Sequence, residues 1–261
     1  MGFLNAVLSD SRQKPIALVK ILENRVITPE ILDNKTSILD LRVLDENDDK
    51  YEIEVQLRDF HNMEKRTLYY WAREYAGSIS SGMGYDELSR VITINIVDFD
   101  NIKLERFHTV FHIREDIEKD YVLTDVLEIH FLSMVKFRKM KNKDRKNNAL
   151  CRWLAYFDVS TPEKELEEVI GMDAAIGKAN ERLNFVTQDK DFLRDYYRRQ
   201  MELADWTTSI NTALQKGVEQ GVEKRSVDIA KNALSEGLSV DIIKKITGLD
   251  ESVIIALRDE R

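Results

Sequence analysis

Two neighbouring stretches constrain this chain more than anything else in its sequence. Thr36 to Leu44 reads TSILDLRVL, and Lys50 to Leu57 reads KYEIEVQL. Both are rich in β-branched and aliphatic residues and alternate in polarity, which is the pattern of a strand with two unlike faces. The intervening Asp45-Glu46-Asn47-Asp48-Asp49 is turn chemistry, so the two stretches predict an antiparallel hairpin. Strand parity then sorts the side chains. Leu39, Leu41 and Val43 share one face with Tyr51, Ile53, Val55 and Leu57, whereas Ile38, Asp40, Arg42 and Leu44 share the other with Glu52, Glu54, Gln56 and Arg58. A loop at Glu46 to Asp48 pairs Asp40 with Glu54; a loop at Asn47 to Asp49 pairs it with Gln56. In both registers the three residues share a face.

An aspartate between Ile38-Leu39 and Leu41 is a poor strand former, and its charge is costly to bury. A glutamate facing it across the hairpin adds repulsion. A hard divalent cation between the two would relieve both costs, because Mg²⁺ is held by one or two carboxylates with waters and phosphate oxygens. The simpler reading is a solvated strand face, with Asp40 paired to Arg42 or Arg58.

The rest of the first half reads as mixed α and β. Phe3 to Leu8 is a short apolar helical stub, and Val19 to Ile21 and Arg25 to Ile27 are candidate short strands. Met63 to Ser80 carries Leu68, Trp71, Ala72, Tyr75 and Ile79 at helical spacing, closed by Gly82 and Gly84. Arg90 to Phe99 is a strand; Arg106 to Arg114 and Tyr121 to Met134 are further β or mixed segments. Beyond them the chain turns helical: Leu150 to Phe157, Pro162 to Leu183 and Asp189 to Leu214. Gly217 and Gly221 mark a weak helix or linker. A small three-helix unit closes the sequence, with Ser239 and Asp250 as N-caps and Gly237 and Gly248 as helix ends.

Charge is unevenly spread. The chain carries 39 basic and 47 acidic residues, a net −8. Residues 1–135 hold 16 basic and 25 acidic side chains, and the remainder holds 23 and 22, so the acidity is confined to the first half. Lys136 to Lys146 has seven positive charges against the single Asp144. No run of about 18 apolar residues suggests a membrane-spanning helix. The N-terminus lacks the basic and apolar regions of a signal peptide, and the lone Cys151 excludes an internal disulfide or a cysteine-rich zinc site. A cytoplasmic protein with no membrane partner is expected.

Taken in order, these motifs resemble one family. Ser37-Ile-Leu-Asp40-Leu-Arg-Val, Tyr51-Glu-Ile-Glu54-Val-Gln56, Lys65-Arg66-Thr-Leu-Tyr69-Tyr70-Trp71, Gly82-Met-Gly-Tyr85-Asp-Glu-Leu88 and Val91-Ile-Thr-Ile-Asn-Ile-Val-Asp98-Phe99 are similar to the PD-(D/E)XK nuclease family transposases, the recombination-promoting nucleases of the Rpn type. The resemblance extends through the tail from Gly217 to Leu249. It implies an α/β fold with a restriction-endonuclease-like core, a mixed sheet flanked by helices, and an all-α C-terminal extension. The implied organisation is a nuclease-like domain over 1–148, a helical extension over 149–225 and the three-helix tail over 226–261. The stub at Phe3 to Leu8 resembles the end of the family's first helix, so the chain is expected to begin inside that helix, downstream of where an acidic ligand of the core can sit.

The resemblance also implies the chemistry: metal-dependent hydrolysis of DNA phosphodiester bonds, tied to recombination or mobile elements. Asp40 and Glu54 match the metal-binding carboxylates, and the backbone carbonyl of Val55 joins them around Mg²⁺, with Mn²⁺ as a substitute. Such a metal acidifies water and stabilises charge on the phosphate. Gln56 stands where the wider superfamily has lysine; it can orient a water but brings no charge. Arg66 matches a family arginine and can supply that cation. The alternative is a catalytically weakened relative that binds DNA or a protein.

Other residues carry less. Lys139, Lys141 and Arg145 in the basic run are candidate contacts to the DNA backbone, or else belong to a solvated linker. His108 and His112 are four apart but lack acid or thiol partners for zinc; His61 and His130 look isolated. Cys151 sits among Leu150, Trp153 and Leu154, as a buried inert thiol does. Tyr69, Tyr70, Trp71 and Tyr75 read as core packing. The helical C-terminal region is the candidate for a homodimer contact.

Overall fold

The computed structural model describes residues 1–22 and 40–259. Thr36 to Leu39 and the candidate strand at Arg25 to Ile27 lie outside them. The chain clusters into two compact units, Met1–Val186 and Thr187–Arg261.

The predicted hairpin forms. Strand β2 (Asp40–Asp45) runs antiparallel to β3 (Lys50–Gln56), with Asp40 opposite Glu54 and Leu44 opposite Lys50. The turn selects this register. Asp45 Oδ1 accepts from the backbone N–H groups of Asn47 and Asp49, and Asp48 takes φ 62°, a conformation that aspartate tolerates. Strand β1 (Val19–Ile21) adds antiparallel to β2.

Helix α2 (Met63–Ala76) is the crossover that makes the next strand, β4 (Val91–Val97), parallel to β3. Strands β5 (His108–Arg114) and β6 (Val122–Ser133) form an antiparallel hairpin, with β6 inserted parallel to β4. The sheet order is therefore β1-β2-β3-β4-β6-β5. All seven residues of β4 are buried, as befits a parallel strand covered on both faces.

Two cores result. On one face Val43, Tyr51, Ile53, Ile92, Ile94, Ile96 and Leu132 pack with α1 (Gly2–Val7), Phe137 of α3 (Met134–Lys139) and Leu150, Trp153 and Leu154 of α4 (Ala149–Phe157). Val169 of α5 (Glu163–Met172) and Ile176 of α6 (Ala174–Val186) join this cluster. The single helix predicted over Pro162 to Leu183 is thus two, broken at Asp173. On the other face Met63 of α2 packs on Val97, Leu127, Ile129 and Phe131.

Helix α2 departs from its prediction. It stops at Ala76, where the Gly77 N–H bonds back to the carbonyls of Arg73 and Tyr75. Leu68, expected to face inward, is 48% exposed, while Thr67 is buried. The sheet beneath Thr67 is polar, at Thr93 and Asn95, so the hydrophobic spacing places Trp71 correctly against the apolar cluster but Leu68 wrongly.

In the second unit, α7 (Lys190–Ser235) runs for 46 residues through Gly217 and Gly221, so these glycines are not a linker. The predicted three-helix unit is present, its first member being the end of α7. Ala230 and Ala233 pack with Ile243 of α8 (Val240–Thr247) and Ile254 of α9 (Glu251–Asp259). Gly237 and Gly248, at φ 77° and 69°, close the preceding helices in the left-handed conformation expected of them. Among the described residues no helix is long and apolar enough to cross a membrane.

Candidate functional site

The polar face of the hairpin is buried. Glu52, Glu54 and Gln56 are 7%, 3% and 5% exposed, which overturns the solvated-face reading. The cause is α2, which lies over this face and is tied to it by polar side chains. Arg66 Nη2 lies 2.5 Å from Glu54 Oε1, and Arg42 on β2 forms an ion pair with Glu74 near the far end of the helix. Thr67 Oγ1 bonds to Thr93 and to Asn95, whose Nδ2 donates to Thr67 and to the His130 carbonyl at 3.0 Å. Trp71 Nε1 donates to the Val91 carbonyl. A buried polar face is tolerated when its groups are bonded in this way.

Gln56 stands at the C-terminal end of β3, where ligands approach parallel strands. Its Nε2 donates to the Arg58 carbonyl at 3.1 Å, fixing the amide plane, whereas its Oε1 is buried and has no hydrogen-bond partner among the described residues. Glu54 neighbours it two residues back on the same face, and Asp40 is Glu54's register partner on β2. Paired strands lie about 4.8 Å apart, so backbone register alone brings the Asp40 and Glu54 positions together. Carboxylate and amide oxygens are the donor set of a hard divalent cation, so the residues fit such an ion. Among the described residues no three His, Cys, Asp or Glu converge on one metal position.

Arg66 also lies over the Tyr70 ring, its guanidinium carbon 5.4 Å from the centroid. The aromatic group read as core packing is mixed. Trp71 stacks on Tyr75 at 5.0 Å, whereas Tyr69 is 58% exposed.

The basic run is neither a linker nor a uniform patch. Lys136 pairs with Asp100 at 2.7 Å, and Arg138 bridges Asp98 and Asp158. Lys143 lies 4.9 Å from the Phe137 ring, and Arg145 pairs with Glu165. Lys139 and Lys141 are exposed. Cys151 is buried and its thiol is pushed up by that burial, in keeping with an inert role.

One histidine was misread: His130 is not isolated. His108 Nε2 and His130 Nδ1 are 2.9 Å apart, and His130 Nε2 lies 2.7 Å from Glu128 Oε1. Arg90 closes the row on the other side of Glu128. Glu128 and His130 share a face of β6 two residues apart, and pairing with β5 brings in His108, a contact that sequence spacing could not show. Burial pushes the Glu128 carboxyl up, but hydrogen bonds from His130 and Ser11, with the charges of His130 and Arg90, outweigh it and hold Glu128 down at about 2. Burial, reinforced by His130, pushes His108 down to about 4.

The sign for His108 is fixed by linkage. The unfolded imidazole takes a proton near pH 6.5 that the folded one refuses until about 4. Stability is therefore intact above pH 6.5 and is lost progressively as pH falls from 6.5 to about 4. Replacing His108 by Gln should flatten the fall of melting temperature over that window. Equal slopes in the two proteins would remove His108 from the account.

A mixed sheet with parallel central strands, flanked by helices and carrying an Asp–Glu register pair on an adjoining hairpin, defines a PD-(D/E)XK-like α/β fold. The chain belongs to the PD-(D/E)XK nuclease family transposases, whose family model matches residues 1–213 of the 261. No curated protein and no solved structure matched the chain. Membership supports a nuclease-like role connected with recombination, in a family that generally uses divalent metals.

Proposed function

We propose that this chain is a Mg²⁺-dependent DNA endonuclease of recombination or mobile-element type, acting in the cytoplasm. The observation that carries this reading is the burial of Glu54 and Gln56 side by side at the end of a parallel strand, with Gln56 Oε1 lacking a hydrogen-bond partner among the described residues. The chemistry belongs to residues 1–148, with 149–225 as helical extension and 226–261 as tail. Asp40, Glu54 and the Val55 carbonyl are the groups that hold Mg²⁺, or Mn²⁺ in its place. When bound, the ion stabilises negative charge on the scissile phosphate and makes water more acidic.

The chain's own groups do the rest. Gln56 Oε1 accepts a hydrogen bond from the attacking water and orients it. An amide oxygen is not a base, so this is positioning rather than proton removal. Arg66 offers guanidinium donors to phosphate oxygens. Lys139 and Lys141, being exposed, contact the flanking DNA backbone; Arg145 would first have to leave Glu165.

One observation favours a second reading, that of a weakened relative that binds DNA or protein without cutting. Arg66 already balances the charge of Glu54, so an incoming cation must compete with a guanidinium 2.5 Å away. Plasmid nicking in Mg²⁺, in Mn²⁺ and in chelator separates the two. The endonuclease reading expects nicking that requires the ion and disappears in Asp40→Ala and in Glu54→Ala. Nicking that survives both substitutions sinks the proposed site, and DNA binding without nicking selects the second reading.

A further inference from the structure

We propose that Arg66 has two stations: against Glu54 it keeps a divalent cation out, and on a DNA phosphate it lets one in, so that ion and DNA bind this site cooperatively. This coupling rests on the ion-dependent reading above and adds regulation to it.

The closed station is the one observed. Arg66 Nη2 lies 2.5 Å from Glu54 Oε1, and the two side chains are 13% and 3% exposed. A guanidinium so close to one carboxylate oxygen takes the space of an ion bound there, since Mg²⁺ sits about 2.1 Å from its oxygens. At the other oxygen the ion and the guanidinium would still be neighbours, repelling each other where water screens poorly. On the same face Gln56 Oε1 is buried with no hydrogen-bond partner among the described residues. The face thus holds one acceptor unmet and one already engaged by Arg66.

The open station lies along a ladder of contacts that runs outward. The Arg66 guanidinium carbon is 5.4 Å from the Tyr70 ring centroid, inside the cation–π range of about 6 Å. Tyr70 is one turn further along α2 and half-buried, and its ring meets that of Tyr69 at 5.7 Å. Tyr69 is 58% exposed. The ladder Glu54–Arg66–Tyr70–Tyr69 therefore leads from a buried carboxylate to the surface, and a guanidinium leaving Glu54 keeps a ring beside its charge. The backbone need not move. Thr67 is held by Thr93 and Asn95, and Trp71 by the Val91 carbonyl, so α2 is pinned on both sides of Tyr70. The switch is one side chain.

A phosphodiester is suited to draw Arg66 outward, because its paired oxygens match the guanidinium fork. That move leaves Glu54 a buried carboxylate short of positive charge, which a divalent cation supplies. Without DNA, an ion meets Arg66 in place; without the ion, DNA takes a cation away from Glu54. Each ligand removes the obstacle the other faces, and the coupling is equal read from either side.

Calorimetry of the full chain with Mn²⁺ and a short phosphorothioate duplex, which resists hydrolysis, measures it. Mn²⁺ should bind about 10-fold more tightly with the duplex present, once the heat of the duplex alone is subtracted. Fluorescence anisotropy should give the same factor for duplex binding in Mn²⁺ against chelator. The sign is diagnostic, because added cations ordinarily weaken protein–DNA binding. Arg66→Gln should bind Mn²⁺ without DNA as tightly as wild type does with it, and its coupling should vanish. Should that variant fail to fold, Tyr70→Leu leaves the Glu54 pair in place and removes the ring, so its coupling should fall by about 3-fold. Equal Mn²⁺ affinities with and without the duplex overturn the coupling and leave the ion site standing, as does full coupling in Arg66→Gln. Absence of Mn²⁺ binding in every arm sinks the ion-dependent reading itself, and the coupling with it.

Discussion

Arg66→Met is expected to lower the unfolding free energy by about 3–5 kcal/mol, the usual cost of stranding one partner of a buried ion pair. Glu54 is 3% exposed and holds its Oε1 2.5 Å from the guanidinium, so removing the cation leaves a carboxylate that water reaches poorly. Adding Glu54→Gln to Arg66→Met should restore most of the loss, because an uncharged amide is far cheaper to bury. Urea unfolding of the four proteins of the cycle, with unchanged m-values, gives the coupling directly. A loss below about 1 kcal/mol in the single variant would mean that another group carries the charge of Glu54. Arg66→Lys keeps the charge and loses the forked donors, so it should be intermediate in stability and poorer at holding a phosphate.

Gln56→Ala carries the largest expected effect on activity. If Oε1 orients the attacking water, single-turnover cleavage should slow by about 10²-fold, the scale of a lost positioning contact. Mg²⁺ affinity by calorimetry should change little, because the ion-holding groups are Asp40 and Glu54. Gln56→Lys puts the superfamily cation back; it preserves cleavage if the site tolerates the charge and weakens metal binding if the ammonium repels the ion. Wild-type cleavage insensitive to Gln56→Ala removes this residue from the mechanism.

The hairpin and its register pair were legible in the sequence because period-two alternation and an acidic turn are local signals. Asp40 opposite Glu54 was one of the two registers that the turn allowed. The burial of that face was not legible. Alternating Glu52, Glu54 and Gln56 looks solvated until α2 is laid over it, and α2 meets that face through Arg66 and Thr67 as well as through Met63 and Trp71, so its apolar spacing pointed to Leu68 instead of Thr67. The row Arg90–Glu128–His130–His108 was invisible for a related reason. Glu128 and His130 are two apart on β6, but His108 reaches them from β5 and Arg90 from the start of β4, and no spacing along the chain announces those meetings. The continuity of α7 through two glycines shows the converse, since propensity at single positions yielded to a long helical context.

The outermost strands of the described sheet bear on how the protein keeps apart from its neighbours in a crowded solution. An outer strand has backbone donors and acceptors along one side that another polypeptide can adopt. Strand β1 is three residues long, too short to seed such growth, and β5 is irregular at two places, between Phe111 and Ile113 and again at Arg114. Those irregularities twist the strand where Phe111 and Ile113 are partly exposed, and the loop beyond carries Glu115, Asp116, Glu118 and Asp120. The β5 rim is thus crooked and leads into a negatively charged loop. The extra residues at both irregularities belong to β6, so the inner strand sets the bend of the outer one, and trimming them would straighten an edge that another polypeptide could join.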